Sequence, residues 1–124
     1  MHVSMSRLIL YVHDVSRLKT FYQASFSFKV REEIEGEWVV LDAGAVELAF
    51  HRVGVQYRDR EPAQQSHSNS KIVLSIRSGL LELRNKLLAE GVPMRDVKRY
   101  EGFPYLMCDG EDPEGNVFQL MEMD

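Results

Sequence analysis

One cysteine, Cys108, is all the thiol chemistry the chain carries. No intramolecular disulfide can form, and a cysteine-rich metal framework is excluded. A basic excess is missing too. The 15 Lys and Arg against 19 Asp and Glu give a formal charge of −4, and the basic residues are scattered rather than striped along one face, so no nucleic acid is expected as a partner. No apolar run approaches the ~18 residues of a membrane span. The opening Met1-His2-Val3-Ser4-Met5 also lacks the hydrophobic stretch of a signal peptide. These absences lead us to expect no membrane partner and a cytoplasmic location. The 124 residues suit a single domain whose core is stable without staples.

What the chain does have is a repeat. Leu8-Ile9-Leu10-Tyr11-Val12-His13-Asp14 opens a strand-then-helix pattern, and Ile72-Val73-Leu74-Ser75-Ile76-Arg77-Ser78 opens it again about 64 residues later. Each copy closes on a glycine turn and a short apolar strand with one polar residue inside, Gly44-Ala45-Val46-Glu47-Leu48 and Gly115-Asn116-Val117-Phe118-Gln119-Leu120. A module too small to bury its own face implies two copies around a shared cavity. The first module, 6–52, reads βαβββ. Its strand at 7–13 is followed by Asp14 as a helix cap, an apolar stripe of Val15, Leu18, Phe21, Tyr22 and Phe26, and strands at 28–35, 37–42 and 45–52. Residues 53–70 turn polar and aperiodic and read as a linker loop. The second module, 71–124, repeats the order. It has a strand at 71–77, Ser78 as cap, a stripe of Leu80, Leu83, Leu87 and Leu88, a stop at Gly91-Val92-Pro93, and strands at 92–98, 105–109 and 116–122. Asp109, Glu111 and Asp112 border a turn built on Asp112-Pro113-Glu114-Gly115-Asn116 and read as structural.

Strand side chains alternate, so Leu8, Leu10 and Val12 face a helix while Arg7, Ile9, Tyr11 and His13 face away. The same rule leaves Glu47, Ala49 and His51, then Lys71, Val73 and Ser75, then Val117, Gln119 and Met121 on the faces away from their helices. Arg7, Glu47, Lys71 and Gln119 thus occupy corresponding places in four strands. Cys108 has the parity of Leu106 and reads as a packing residue.

The L-x-V-x-D pattern before a helix bearing Phe21-Tyr22, the Asp112-Pro113-Glu114-Gly115-Asn116 turn and the paired βαβββ order resemble the vicinal oxygen chelate superfamily. That group includes glyoxalase I, extradiol dioxygenases, and fosfomycin- and bleomycin-resistance proteins. The resemblance implies an α+β fold in which two βαβββ modules form a cupped mixed sheet with helices on the outer face. It also implies a homodimer. In metal-dependent members the ligands stand on the first and last strands of each module, which here are Arg7, Glu47, Lys71 and Gln119. Glu47 and Gln119 can present oxygen to a metal. Arg7 has no lone pair to give, and Lys71 would have to lose its proton far below its ordinary pKa of ~10.4.

The expectation is therefore a metal-free small-molecule binding protein. Its ligand would be a small organic anion with an apolar part, held over a floor where two cations face one carboxylate. Tyr11, His51, Trp38, Phe103, Tyr105 and Met121 are the further candidate ligand-binding residues. Glu47 is the candidate general base if any catalysis occurs. Two other readings stand beside this one: a divalent-metal lyase, isomerase or dioxygenase, and a dimeric interaction module whose cup is filled by its own side chains. His13 and His51 lie about 20 and 13 Å along their strands from Arg7 and Glu47, too far to share a metal's first shell with them. His2 in the leader and His67 in the loop carry no weight.

Overall fold

A computed structural model describes residues 1–59 and 69–124. The chain divides into two compact units, Met1–Pro62 and Ala63–Asp124. The first runs β1 (Arg7–Val12), α1 (Val15–Phe26), β2 (Lys29–Ile34), β3 (Trp38–Asp42) and β4 (Glu47–Arg52), then a single 3-10 turn at Val55–Tyr57. The second runs β5 (Lys71–Ile76), α2 (Leu80–Ala89), β6 (Tyr105–Glu111) and β7 (Val117–Met123). The strand orders are β1-β4-β3-β2 and β5-β7-β6. In each sheet the first and last strands pair parallel and the remaining pairs are antiparallel, so both sheets are mixed. The α+β architecture that the resemblance implies is the one adopted. Of the expected 53–70 loop, residues 60–68 with His67 lie outside the described residues.

Alternation works as expected in the first unit. Leu48 and Phe50 of β4 and Val39 and Leu41 of β3 are buried together with Leu18 and Tyr22 of α1. The Tyr22 ring lies 5.2 Å from that of Phe50. Burying each such side chain contributes roughly 1.5–3 kcal/mol. Asp14 caps α1, its carboxylate accepting from the Arg17 N–H at 3.0 Å. The helix ends at Ser27, which adopts a left-handed φ of 60° while its N–H donates to the Gln23 carbonyl.

The second unit differs from expectation in two places. Ser78 does not cap α2. Gly79, with φ of 87°, holds the cap position without a side chain to offer, and the Leu80 N–H instead donates to Glu122 Oε1 of β7 at 3.0 Å. The helix does end at Gly91 as expected, with φ of 87° and the Gly91 and Val92 N–H groups closing back on Leu88 and Leu87. The expected strand at 92–98 does not form a regular ladder. Pro93 has no N–H to donate, so its carbonyl alone joins β6, accepting from Glu111. Only two bridges follow, Met94 opposite Gly110 and Lys98 opposite Met107. Their registers disagree by one residue, which leaves an extra residue between them as in a β-bulge.

Candidate functional site

In the first unit the face of the sheet away from α1 carries a connected polar network. Register sets Arg7 directly opposite Glu47. The guanidinium donates through Nε to Glu47 Oε1 at 3.1 Å and through Nη2 to Glu32 Oε1 at 3.2 Å. Glu32 Oε2 accepts from Trp38 Nε1 at 3.2 Å, and the Arg7 guanidinium carbon stands 5.6 Å from the Trp38 ring centre. Arg7 is therefore held by two carboxylates and a ring face. The hydrogen bond to Glu47, more than any other cause, raises the Arg7 pKa above its ordinary value. The Trp38 N–H and then Arg7 hold Glu32 below the ordinary carboxylate range.

Strict alternation from Val30, which pairs with Leu41 on the helix side, would turn Glu32 toward α1. A register shift between Val30 and Glu32 sets Glu32 opposite Val40 instead, on the open face. That bulge delivers the second carboxylate to Arg7. One rung of the same face is aromatic. Tyr11, His51 and Trp38 lie opposite one another on β1, β4 and β3. Their rings meet edge to face, at 5.4 Å for Tyr11–His51 and 5.7 Å for Trp38–His51. Tyr11 is 70% exposed.

In the second unit Asp109 is the hub. Its Oδ2 accepts from Lys71 Nζ at 2.7 Å and its Oδ1 from Gln119 Nε2 at 3.0 Å. Gln119 stands opposite Val73, whereas Lys71 stands opposite Val117. The expected superposition of Glu47 on Gln119 is thus offset by two residues along β7, and Lys71 turns to Asp109 of β6 for its carboxylate. Beside this triad is a pocket of about 150 Å³, lined chiefly by Lys71, Lys98, Tyr100, Met107, Asp109 and Gln119.

The structure gathers Arg7, Glu47, Trp38, Tyr11 and His51 on one face of the first unit, and Lys71 with Gln119 at the pocket of the second. Met121 shares the open face with its partner Met107, and Tyr105 pairs with Met123 at the strand end. Phe103 is a half-exposed loop residue whose ring lies 6.0 Å from that of Tyr105. Cys108 is buried as a packing residue, and burial pushes its thiol pKa up. Asp112 is structural as expected, its carboxylate bonded to the Glu114 and Asn116 N–H groups and the Asn116 amide. Asp109 lies in the strand expected at 105–109, which extends to Glu111, and its side chain joins the polar cluster and does not support the turn.

The donor set does not fit a divalent metal. Of the four positions that the resemblance implies as metal ligands, two carry fixed cations. The one carboxylate, Glu47, has its Oε1 engaged by Arg7. Among the described residues no group of three or more His, Cys, Asp or Glu is placed to hold a metal ion. No described helix is long and apolar enough to cross a membrane.

No family profile matches the chain, and no curated protein matches it either. Solved structures do. Lactoylglutathione lyase from Agrobacterium tumefaciens is 17% identical, with a TM-score of 0.74 over 96% of this chain and 92% of the other. A genomically encoded fosfomycin resistance protein from Listeria monocytogenes is 15% identical, with a TM-score of 0.73 over 100% and 94%. A glyoxalase/bleomycin resistance protein/dioxygenase from Alicyclobacillus acidocaldarius is 18% identical, with a TM-score of 0.69 over 97% and 91%. Identities this low speak to architecture and not to chemistry. The chain has the fold of the vicinal oxygen chelate superfamily.

Proposed function

We propose that the protein is a metal-free small-molecule binding protein of the glyoxalase/bleomycin-resistance type, which sequesters a small organic anion with an apolar part. The observation that carries this reading is the wiring of the four positions that the resemblance implies as metal ligands. Arg7 closes on Glu47, while Lys71 and Gln119 close on Asp109. Side chains at these positions are engaged by neighbouring side chains, and the faces they occupy keep polar groups beside apolar and aromatic side chains, the usual composition of a ligand site. Glu47 serves to hold Arg7, and its Oε1 is not free to act as a base. Within this reading the protein works in the cytoplasm as a homodimer.

The test is a thermal-shift screen of chelator-treated protein against small organic anions. Stabilisation by at least one of them without added metal is expected. A ligand at 100 times its Kd adds about 2.7 kcal/mol to the folded state, a shift of several degrees. Stabilisation that appears only after zinc, nickel, iron or manganese is restored would overturn the reading.

A further inference from the structure

Charge and register in the second unit specify more than a pocket. Three cations line it, Lys71, Arg95 and Lys98, against two carboxylates, Asp96 and Asp109, so one positive charge is in excess. Lys71 is paired with Asp109 at 2.7 Å. Arg95 has Glu111 at 3.6 Å, and Asp96 has Arg84 at 3.6 Å. Lys98 is the lining cation with no ion-pair partner among the described residues. Its backbone is firmly placed, because Lys98 and Met107 exchange both N–H to carbonyl bonds, at 2.8 and 3.0 Å. Residues paired in this way project their side chains to the same side of the sheet. Met107 shares the parity of Asp109, which pairs with Gln119, so Lys98 belongs to the open face that carries the polar triad. Counting by alternation from Met94 would have sent it to the helix side, and the one-residue slip between the two bridges brings it across.

We propose that Lys98 is the anion-recognition residue of this pocket and that the ligand is a small aromatic monocarboxylate. The carboxylate meets the Lys98 ammonium within reach of the Tyr100 hydroxyl. The ring lies against the Met107 thioether and the Tyr100 ring, contacts that sulfur and aromatic groups favour. Gln119 and the Lys71–Asp109 pair form the polar floor. Asp109 and Asp96 disfavour a dianion, because a second ligand charge would face carboxylates rather than a second unpaired cation. The pocket volume of about 150 Å³ is below the ~300–1,000 Å³ of sites for drug-sized ligands, which fits a single-ring acid. This inference rests on the ligand-binding reading above and names the cation that does the selecting.

Isothermal titration with benzoate, benzamide and inorganic phosphate at pH 8 tests it, on wild type and on Lys98→Gln, Lys98→Arg and Lys71→Gln. Lys98 is exposed, so Lys98→Gln is expected to fold with an unchanged melting temperature in the absence of ligand. Benzoate is expected to bind more tightly than benzamide or phosphate. Lys98→Gln is expected to weaken benzoate at least about tenfold, the usual share of a charge-assisted hydrogen bond, while leaving benzamide unchanged. Lys98→Arg is expected to restore benzoate binding to within about threefold. Benzoate affinity unchanged in Lys98→Gln but abolished in Lys71→Gln would overturn the assignment and leave the binding reading intact. Phosphate binding more tightly than benzoate would overturn the ligand class. Failure of benzoate where another organic anion stabilises the protein would do the same. Failure of every organic anion would overturn the binding reading together with this inference.

Discussion

The two halves of the chain share a parallel pairing of first and last strands flanked by an antiparallel one, and in both the outermost pairing, a strand in the first and two isolated bridges in the second, slips by one residue. They differ in what the slip delivers. In the first unit the bulge in β2 brings Glu32 to the open face, where Arg7 and Trp38 take up both of its oxygens. In the second the irregular segment after Pro93 brings Lys98 to the open face, where no described carboxylate answers it. One half closes its polar network on itself, and the other leaves a cation facing a pocket. Polar side chains can differ between the two halves where the open face stays accessible, as at Glu32 and Lys98, whereas Val40, Ala49 and Met107 on the same faces are buried.

The equivalence of the two cores is the part of this comparison that most needs breaking. Phe50 and Phe118 are both fully buried, Phe50 on β4 opposite Leu10 and Phe118 on β7 opposite Ile72. Each substitution to alanine is expected to cost about 3–5 kcal/mol in urea unfolding. A loss under about 1 kcal/mol in either would show that one half lacks a true core. A smaller effect separates the halves. A methyl group at Gly110 would stand 2.5 Å from both Met94 Sδ and Phe118 Cζ. Gly110→Ala is therefore expected to lose about 1–3 kcal/mol through overpacking. Calorimetry that finds it neutral would mean the 92–98 segment yields freely and does not fix Lys98.

The helix ends should respond with opposite signs. Ser27 holds a left-handed φ that costs a side-chain-bearing residue about 1 kcal/mol, whereas Gly91 takes the same region without that cost. Ser27→Gly is expected to raise stability and Gly91→Ala to lower it, each by up to about 1 kcal/mol. The smallest effect concerns pH. Asp42 is held below its ordinary 3.8 by the Gly44 N–H and Arg31, and Asp124 is held below the same value by Arg99. A carboxylate with a depressed folded pKa stabilises the native state above its unfolded pKa, and that contribution disappears as pH falls through the folded value. Acid unfolding curves for Asp42→Asn and Asp124→Asn should each be shallower below pH ~4 than wild type. A change in only one would mean that only one of these pairs persists in solution.

Most of the architecture was legible because alternation and helical spacing report burial. Leu8, Leu48, Phe118 and the stripe from Val15 to Tyr22 all sit where their parity or period sets them. The cap at Ser78 was misread because the partner of the Leu80 N–H is Glu122, a residue 42 positions away that no local pattern reveals. The strand at 92–98 was over-read because apolar content resembles a strand even where Pro93 breaks the ladder. Arg7, Glu47, Lys71 and Gln119 were found by parity, but Glu32, Lys98 and Asp109 were missed. The first two reach the open face only through a register slip, and parity counting assumes there is none. Asp109 could have been recovered by parity within the expected strand 105–109, where it shares a face with Tyr105 and Met107, instead of being read together with the turn. The aromatic rung of Tyr11, His51 and Trp38 was named residue by residue, but its alignment depends on cross-strand register, which a single sequence does not contain.

The central claim is that Arg7 and Glu47 in one unit, and Lys71 and Gln119 with Asp109 in the other, form paired polar clusters and not a metal site, and metal binding measures this directly. Chelator-treated protein should be titrated with zinc, nickel, manganese and ferrous iron by calorimetry, beside Glu47→Ala and Asp109→Ala. The account predicts no near-stoichiometric binding of any of the four metals by the wild-type protein and no change in either variant. One equivalent of metal bound tightly by wild type and lost in Glu47→Ala would contradict it.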